Sequence, residues 1–321
     1  MDKQTIAWLD DSDPVIRFRL HRDFLNSDPE TVKQIRASIA TQGWGKAFLD
    51  HRNENKHWGL AYYLPKFTST HYTLLSLRMI HYPQNDPRVL ETVNMILDQN
   101  IGPGGGIAPN LKYPNDEVCI TGMFLNIAAY FKAPALKLNS LIDFLMKVQL
   151  KDGGFNCRYA HKPTHHSSVH TTLSVCEGLW EYEKNGYTYR LDDVRQKRLE
   201  GEEFLLCHHL FKSDKDGHVI SDSFLSMHWP YHWFYDVMRA LEYFVKSDHP
   251  GDPRMNDALD WLLSQGHDGL WPLSPRRNGQ YFFTMEKVSR KSKINTLRAL
   301  SILDKYRPEE GSAKEQNPLK Q

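Results

Sequence analysis

The sequence contains no apolar stretch near the roughly 18–20 residues that a bilayer-crossing helix needs, so no membrane span is expected. Its first residues, MDKQTIAWLDDSDP, lack a basic segment followed by an apolar run, which leaves no sign of a secretory signal. Net charge is nearly absent too, with 40 Lys and Arg against 39 Asp and Glu. A nucleic-acid partner would call for a basic face, so none is expected. Cysteine is scarce: Cys119, Cys157, Cys176 and Cys207 form no Cys-x-x-Cys pair. In a leaderless chain these read as reduced thiols or metal ligands, and a cytoplasmic location is expected. Cys176 and Cys207 fall among apolar helix residues and read as structural. No run alternates with period two, which excludes recognisable strands.

What is present is helical periodicity. Hydrophobic residues at 40% and charged residues at 25% suffice for a sizeable core. A short helix is expected at 3–9. Asp13-Pro14 then provides an N-cap and first-turn proline for a helix carrying Val15, Phe18, Leu20 and Phe24. Asp28-Pro29 opens another, reaching to about Gln42. Asp10, Asp11, Ser12 and Asp13 read as caps and turn residues.

From Trp58 a unit repeats: an amphipathic outer helix, a turn, an apolar residue, then an inner helix. The turn-end residues Trp58, Ile107, Phe155, Val219 and Trp271 are spaced by 49, 48, 64 and 52 residues. Such a period indicates units that bury their apolar faces only against one another. Inner helices are expected at 68–80, 117–131, 167–182, 232–244 and 291–303, and outer ones at 87–100, 138–150, 194–210 and 254–265. The expected fold class is all-α, with an inner ring of helices inside an outer ring. One domain spans 1–306, its first 50 residues completing or capping the ring. The polar segment 307–321 is expected to be disordered.

The stretch Gln149–Glu183 holds the densest group of possible metal ligands: Cys157, His161, His165, His166 and His170. Asp116 and Cys119 stand at i, i+3, and His166 and His170 at i, i+4, so each pair can share a helix face. Zinc accepts Cys and His ligands tetrahedrally. Ordinary core or surface roles account for the same residues equally well.

The Gln-led turns QLKDGGF (149–155), QNIGPGGGI (99–107) and QGHDGLW (265–271) resemble the Gln-x-x-Asp-Gly-aromatic repeats of squalene and hopene cyclases and protein prenyltransferase β subunits. The stand-alone form resembles bacterial prenyltransferase and squalene cyclase repeat proteins. The resemblance covers about residues 50–305 and implies an α/α toroid, a barrel of paired helices. In such a toroid the inner helices enter from one end. His71, Asp116, Cys119, Cys157, His166, His170, His228, His232, Arg290 and Lys291 would then converge on one mouth.

Prenyltransferases hold a catalytic zinc with Asp, Cys and His, which the resemblance carries to Asp116, Cys119 and His170. The pair here is Asp-x-x-Cys, where that family has Asp-x-Cys. Lanthionine synthetase cyclases, another toroid family, use a Cys-Cys-His zinc; Cys119, Cys157 and one His match that composition, without the Cys-His-Gly motif. The expected metal set is therefore Cys119, Cys157, His166 and His170, with Asp116, His71 and His232 as catalytic candidates. Trp229, Tyr231, Trp233 and Tyr235 would line an apolar or isoprenoid pocket, or fill the centre, while Arg239, Arg290 and Lys291 would meet a diphosphate.

The Asp-x-Asp-Asp acid of triterpene cyclases and the Asp-Asp-x-x-Asp magnesium motif are both missing. Asp116, Glu117, Asp222 and Asp236 offer no singled-out carboxylate pair for glycoside hydrolysis. Two functions follow: a zinc-dependent enzyme acting on an apolar substrate such as an isoprenoid, or a non-catalytic binding or scaffold toroid. A β-subunit role would also require a helical partner subunit.

Overall fold

The computed structural model describes residues 1–110, 112, 114–160 and 163–308. His161 and the expected tail beyond residue 308 lie outside the described residues. Among the described residues the chain is all-helical, with isolated bridges and no strand. No described helix is long and apolar enough to cross a membrane.

The helices are α1 (Lys3–Asp10), α2 (Pro14–Asp23), α3 (Pro29–Ser38), α4 (Gly43–Asp50), α5 (Thr70–Met79), α6 (Pro87–Gln99) and α7 (Val118–Tyr130). They continue with α8 (Ala135–Val148), α9 (Val169–Lys184), α10 (Leu191–Cys207), α11 (Val237–Lys246), α12 (Asn256–Ser264) and α13 (Lys293–Tyr306). Asp-Pro starts three of them. Asp13, Asp28 and Asp86 each accept a first-turn N–H, and the proline fixes φ for the first helical residue.

Two expected boundaries are corrected. The third helix stops at Ser38, because Gly43 at φ +57° turns the chain and α4 begins there. The helix expected from residue 232 begins instead at Val237. His232 lies at φ +51°, outside the helical region, and Asp236 caps α11 by accepting the Arg239 N–H at 2.7 Å.

Helices α5, α7, α9, α11 and α13 are buried around nearly their whole circumference, whereas α6 and α8 bury one stripe each. Neighbouring inner helices run the same way, as their paired contacts show. Arg78 reaches Asn126, and four residues on in both segments the Tyr130 hydroxyl reaches the Tyr82 carbonyl. His170 meets Tyr235 and Glu177 meets Arg239. Glu242 meets Arg298 and Asp248 meets Lys305. The closest approach is α7 on α9, where a Cβ added at Gly178 would lie 2.3 Å from the Gly122 carbonyl oxygen.

The repeat has a hydrogen-bond basis. The backbone N–H of four of the five turn-end residues donates to a threonine on the following inner helix: Trp58 to Thr70, Ile107 to Thr121, Phe155 to Thr172 and Trp271 to Thr296, at 2.8–3.1 Å. Each threonine thus satisfies a buried donor that would otherwise be costly. Ile107 and Phe155 are fully buried, each contributing roughly 1.5–3 kcal/mol. Val219 departs from the pattern, at 39% exposed. Two indoles add a second repeat: Trp58 Nε1 donates to the Phe48 carbonyl ending α4, and Trp271 Nε1 to the Leu262 carbonyl ending α12. Helix α4 therefore plays the part of an outer helix.

Candidate functional site

The inner-helix N-termini place the expected site residues at one end of the molecule, where they divide into separate groups. Cys119, in the first turn of α7, and Cys157 touch sulfur to sulfur with Cα atoms 5.7 Å apart, within disulfide range. The Cys119 N–H and the Thr171 hydroxyl both face Cys157 Sγ, at 3.1 and 3.5 Å. From sequence the four cysteines are expected as reduced thiols or metal ligands; the structure pairs Cys119 with Cys157 and leaves Cys176 and Cys207 free. Cys176 is buried as expected, but Cys207, at the end of α10, is exposed.

Asp116 is built into the glycine-rich turn before α7. Its Oδ2 accepts the Gly104 N–H at 2.7 Å, and Gly102 and Gly104 lie so close that a Cβ on either would meet the carboxylate. His166 is exposed, while His170 Nδ1 accepts the Tyr235 N–H at 3.0 Å. Among the described residues no group of three His, Cys, Asp or Glu side chains is placed to hold a metal ion. Among the described residues the expected ligands are not gathered at one point: Cys119 and Cys157 face each other, His170 is engaged by the Tyr235 N–H, and Asp116 holds a turn. No step below is routed through a metal.

His71 and His232 are brought together, on either side of Tyr72. Each ring centroid lies 5.3–5.4 Å from that of Tyr72. His71 Nδ1 pairs with the Tyr62 hydroxyl at 2.9 Å, and its buried Nε2 has no partner among the described residues. His232 stacks on Phe67 and lies 3.4 Å from the Ser76 hydroxyl. The Tyr63 and Tyr72 hydroxyls meet at 3.0 Å.

Burial pushes both His71 and His232 down to about 3, and burial followed by Arg239 and Arg277 pushes His170 down to about 4. Each ring is therefore neutral in the fold, while in the unfolded chain it titrates near 6.5. Below that pH the unfolded chain takes up protons that the folded chain refuses. Stability is complete above pH 6.5 and is lost as pH falls toward 4. His57, His81 and His228 are lowered by burial in the same sense, while Asp236, raised by burial to about 6, acts oppositely, as do the buried carboxyls of Asp13 and Glu286. The urea midpoint is expected to fall from pH 6.5 to 4.5, less steeply in His71→Gln by about one proton. Equal slopes in the two proteins would contradict this.

The aromatic segment packs inward. Trp229, Tyr231 and Tyr235 are buried, and Trp233 is half-buried against Phe234. Arg239 is not free for a diphosphate, because Glu177 holds it through two hydrogen bonds of 2.6 and 3.1 Å. Arg290 and Lys291 are exposed. His228 is half-buried, and burial with Arg277 pushes it down to about 4.

The spaces beside the aromatic segment are small. Cavities beside His232 and beside Tyr231 measure only about 20 and 10 Å3. Larger spaces open at the periphery. One, of about 750 Å3, brings His166 and His170 together with Cys207 and His208 beside α10. Partial desolvation and Glu203 raise the Cys207 thiol above its ordinary value. Another, of about 480 Å3, lies before α5 and is walled by Ala61, Tyr62, Tyr63, Leu64 and Pro109, with His57, Gln99, Asn100, Asn110 and Lys112 as polar members. Tyr62 joins this cleft to His71. Neither tyrosine was singled out in the sequence, although the pair Tyr62-Tyr63 directly before an inner helix was the available signal.

No family model matches the chain, and no curated protein matches it significantly. The likeness to cyclases and prenyltransferase β subunits accordingly rests on the Gln-led turns and the helical repeat.

Proposed function

We propose that this protein is a single-domain α/α toroid of the terpenoid cyclase and prenyltransferase β-subunit type. It binds a small apolar molecule, such as an isoprenoid, in the cleft before Tyr62 and Tyr63. The ring reading is supported by α5, α7 and α9 lying side by side, by α11 against α13, α2 against α13 and α4 against both α2 and α5, and by the Glu177–Arg239 pair that bridges α9 and α11. Residues 1–50 thus stand where a last helix pair would complete a ring.

The observation that carries the binding reading is the contrast in space. A cleft of about 480 Å3, lined by five apolar and five polar residues, has the size of a small-molecule site, whereas the spaces beside His232 and Tyr231 measure only about 20 and 10 Å3. Leu64 in its wall is 64% exposed, apolar surface that a ligand would cover.

Ala61 is exposed, so a larger side chain there fills the cleft without disturbing the core. N-phenyl-1-naphthylamine fluorescence is expected to rise on binding the wild-type protein and to fall on adding farnesol. Ala61→Trp is expected to weaken both ligands at least about tenfold, and a chelator to change nothing. Unaltered binding in Ala61→Trp would remove the cleft from consideration.

A further inference from the structure

We propose that the opposite end of the molecule holds a second site, for a phosphate-bearing small molecule. There the last turns of α2, α3, α5, α9 and α11 enclose a cavity of about 410 Å3. Arg22, Arg36, Arg78, Lys184 and Lys246 all line it, and Glu181 is the one carboxylate among the described lining residues. That volume lies within the range of small-molecule sites.

The carboxylates within reach are already committed. Glu181 accepts from Arg78 and, at 2.7 Å, from the Asn185 amide. Asp23 takes Arg22. Glu242 lies 3.6 Å from Lys246 but also serves Arg19 and Arg298. Arg36 donates only to neutral oxygens, the His81 carbonyl and the Tyr130 hydroxyl, at 3.3 and 2.9 Å. Lys184 has no ion pair or hydrogen bond among the described residues, and its ammonium lies 4.4 Å from the Trp180 ring centroid.

Helix C-termini attract cations by themselves, and Arg36 answers one such carbonyl. That does not account for Lys184, which answers none. The cations are also pre-placed by aromatic faces: Arg22 over Phe18 and Arg78 over Tyr130, at 4.8 and 5.2 Å. Arg78, at 8% exposed, is fixed in the wall by Asn126 at 2.6 Å. Guanidinium forks and an ammonium around one cavity are the donor set that phosphate oxygens satisfy. The site is independent of the apolar cleft.

Calorimetric titration of the full chain with inorganic pyrophosphate tests it. Binding is expected, weaker as salt rises, and reduced at least about tenfold by Arg36→Gln and by Lys184→Gln. Lys184→Gln removes no polar partner, so it is expected to keep the wild-type melting temperature and to serve as the folded variant. The double change Arg290→Gln, Lys291→Gln, on exposed cations elsewhere, is expected to leave binding intact. Absence of binding, or an equal loss in that control, would overturn the site. A parallel arm uses vesicles containing phosphatidic acid: association with vesicles but not with pyrophosphate would overturn the soluble ligand in favour of a lipid headgroup.

Discussion

Glu242→Ala is expected to lower the unfolding free energy by about 3–5 kcal/mol. The carboxylate is only 3% exposed, yet it accepts from Arg298 at 3.1 Å and Arg19 at 3.0 Å, with Lys246 at 3.6 Å. Arg298 is fully buried and Arg19 nearly so. Removing the carboxylate leaves two guanidinium groups in the core without their counter-charge, which costs more than the pair itself contributes. Burial alone would raise the Glu242 carboxyl, but the three cations overcome it and hold the group well below its usual range. Its stabilising contribution is therefore present above about pH 4.5 and lost only in stronger acid. The effect is structural as well as electrostatic, because these residues tie α2 to α11 and α13. Urea denaturation of Glu242→Ala and Glu242→Gln measures it, with Gln expected to lose less. A loss under about 1 kcal/mol in the alanine variant would mean that the arginines find other partners.

Gly178→Leu is expected to be nearly as damaging, at about 3 kcal/mol, the upper part of the range for overpacked cores. At this position α9 lies on α7 backbone to backbone. An added Cβ would meet the Gly122 carbonyl oxygen at 2.3 Å, which a rotamer change cannot relieve because the obstacle is main chain. The helices must separate, and the contacts of Cys119 and Thr171 with Cys157 loosen with them. Gly178→Ala should show a smaller loss, since alanine recovers about 1 kcal/mol of helix propensity. Thermal unfolding of the pair provides the check. A stabilised alanine variant would show that the two backbones are farther apart than described.

The helical class and most helix positions were legible in the sequence, because periodicity and Asp-Pro caps are local signals. The inner helix at 68–80 became Thr70–Met79, and that at 117–131 became Val118–Tyr130. Where local signals misled, a backbone feature intervened: Gly43 split the third helix, and the left-handed His232 delayed α11. The chemistry was less legible, because proximity across helices has no local trace. His71 and His232 were named separately and do meet, through Tyr72. Cys119 and Cys157 do meet, but as a bonded pair. His166 and His170 share a cleft that contains neither of those sulfurs.

Arg239 looked available in sequence and is locked by Glu177, 62 residues away. The basic end escaped notice for the opposite reason. Arg22, Arg36, Lys184 and Lys246 each read as an ordinary basic residue in a last helical turn. Only the parallel alignment of the helices adds them into one cavity.

The most direct test of where the ligand sits is photolabelling with a benzophenone-bearing alkyl probe, followed by peptide mapping. Label is expected on residues 57–64 and 99–110, which wall the cleft before α5, and is expected to disappear with excess farnesol. Label concentrated instead on Phe67, Trp229, His232 or Tyr281 would place the ligand in the centre of the helices and contradict a packed core with a peripheral site.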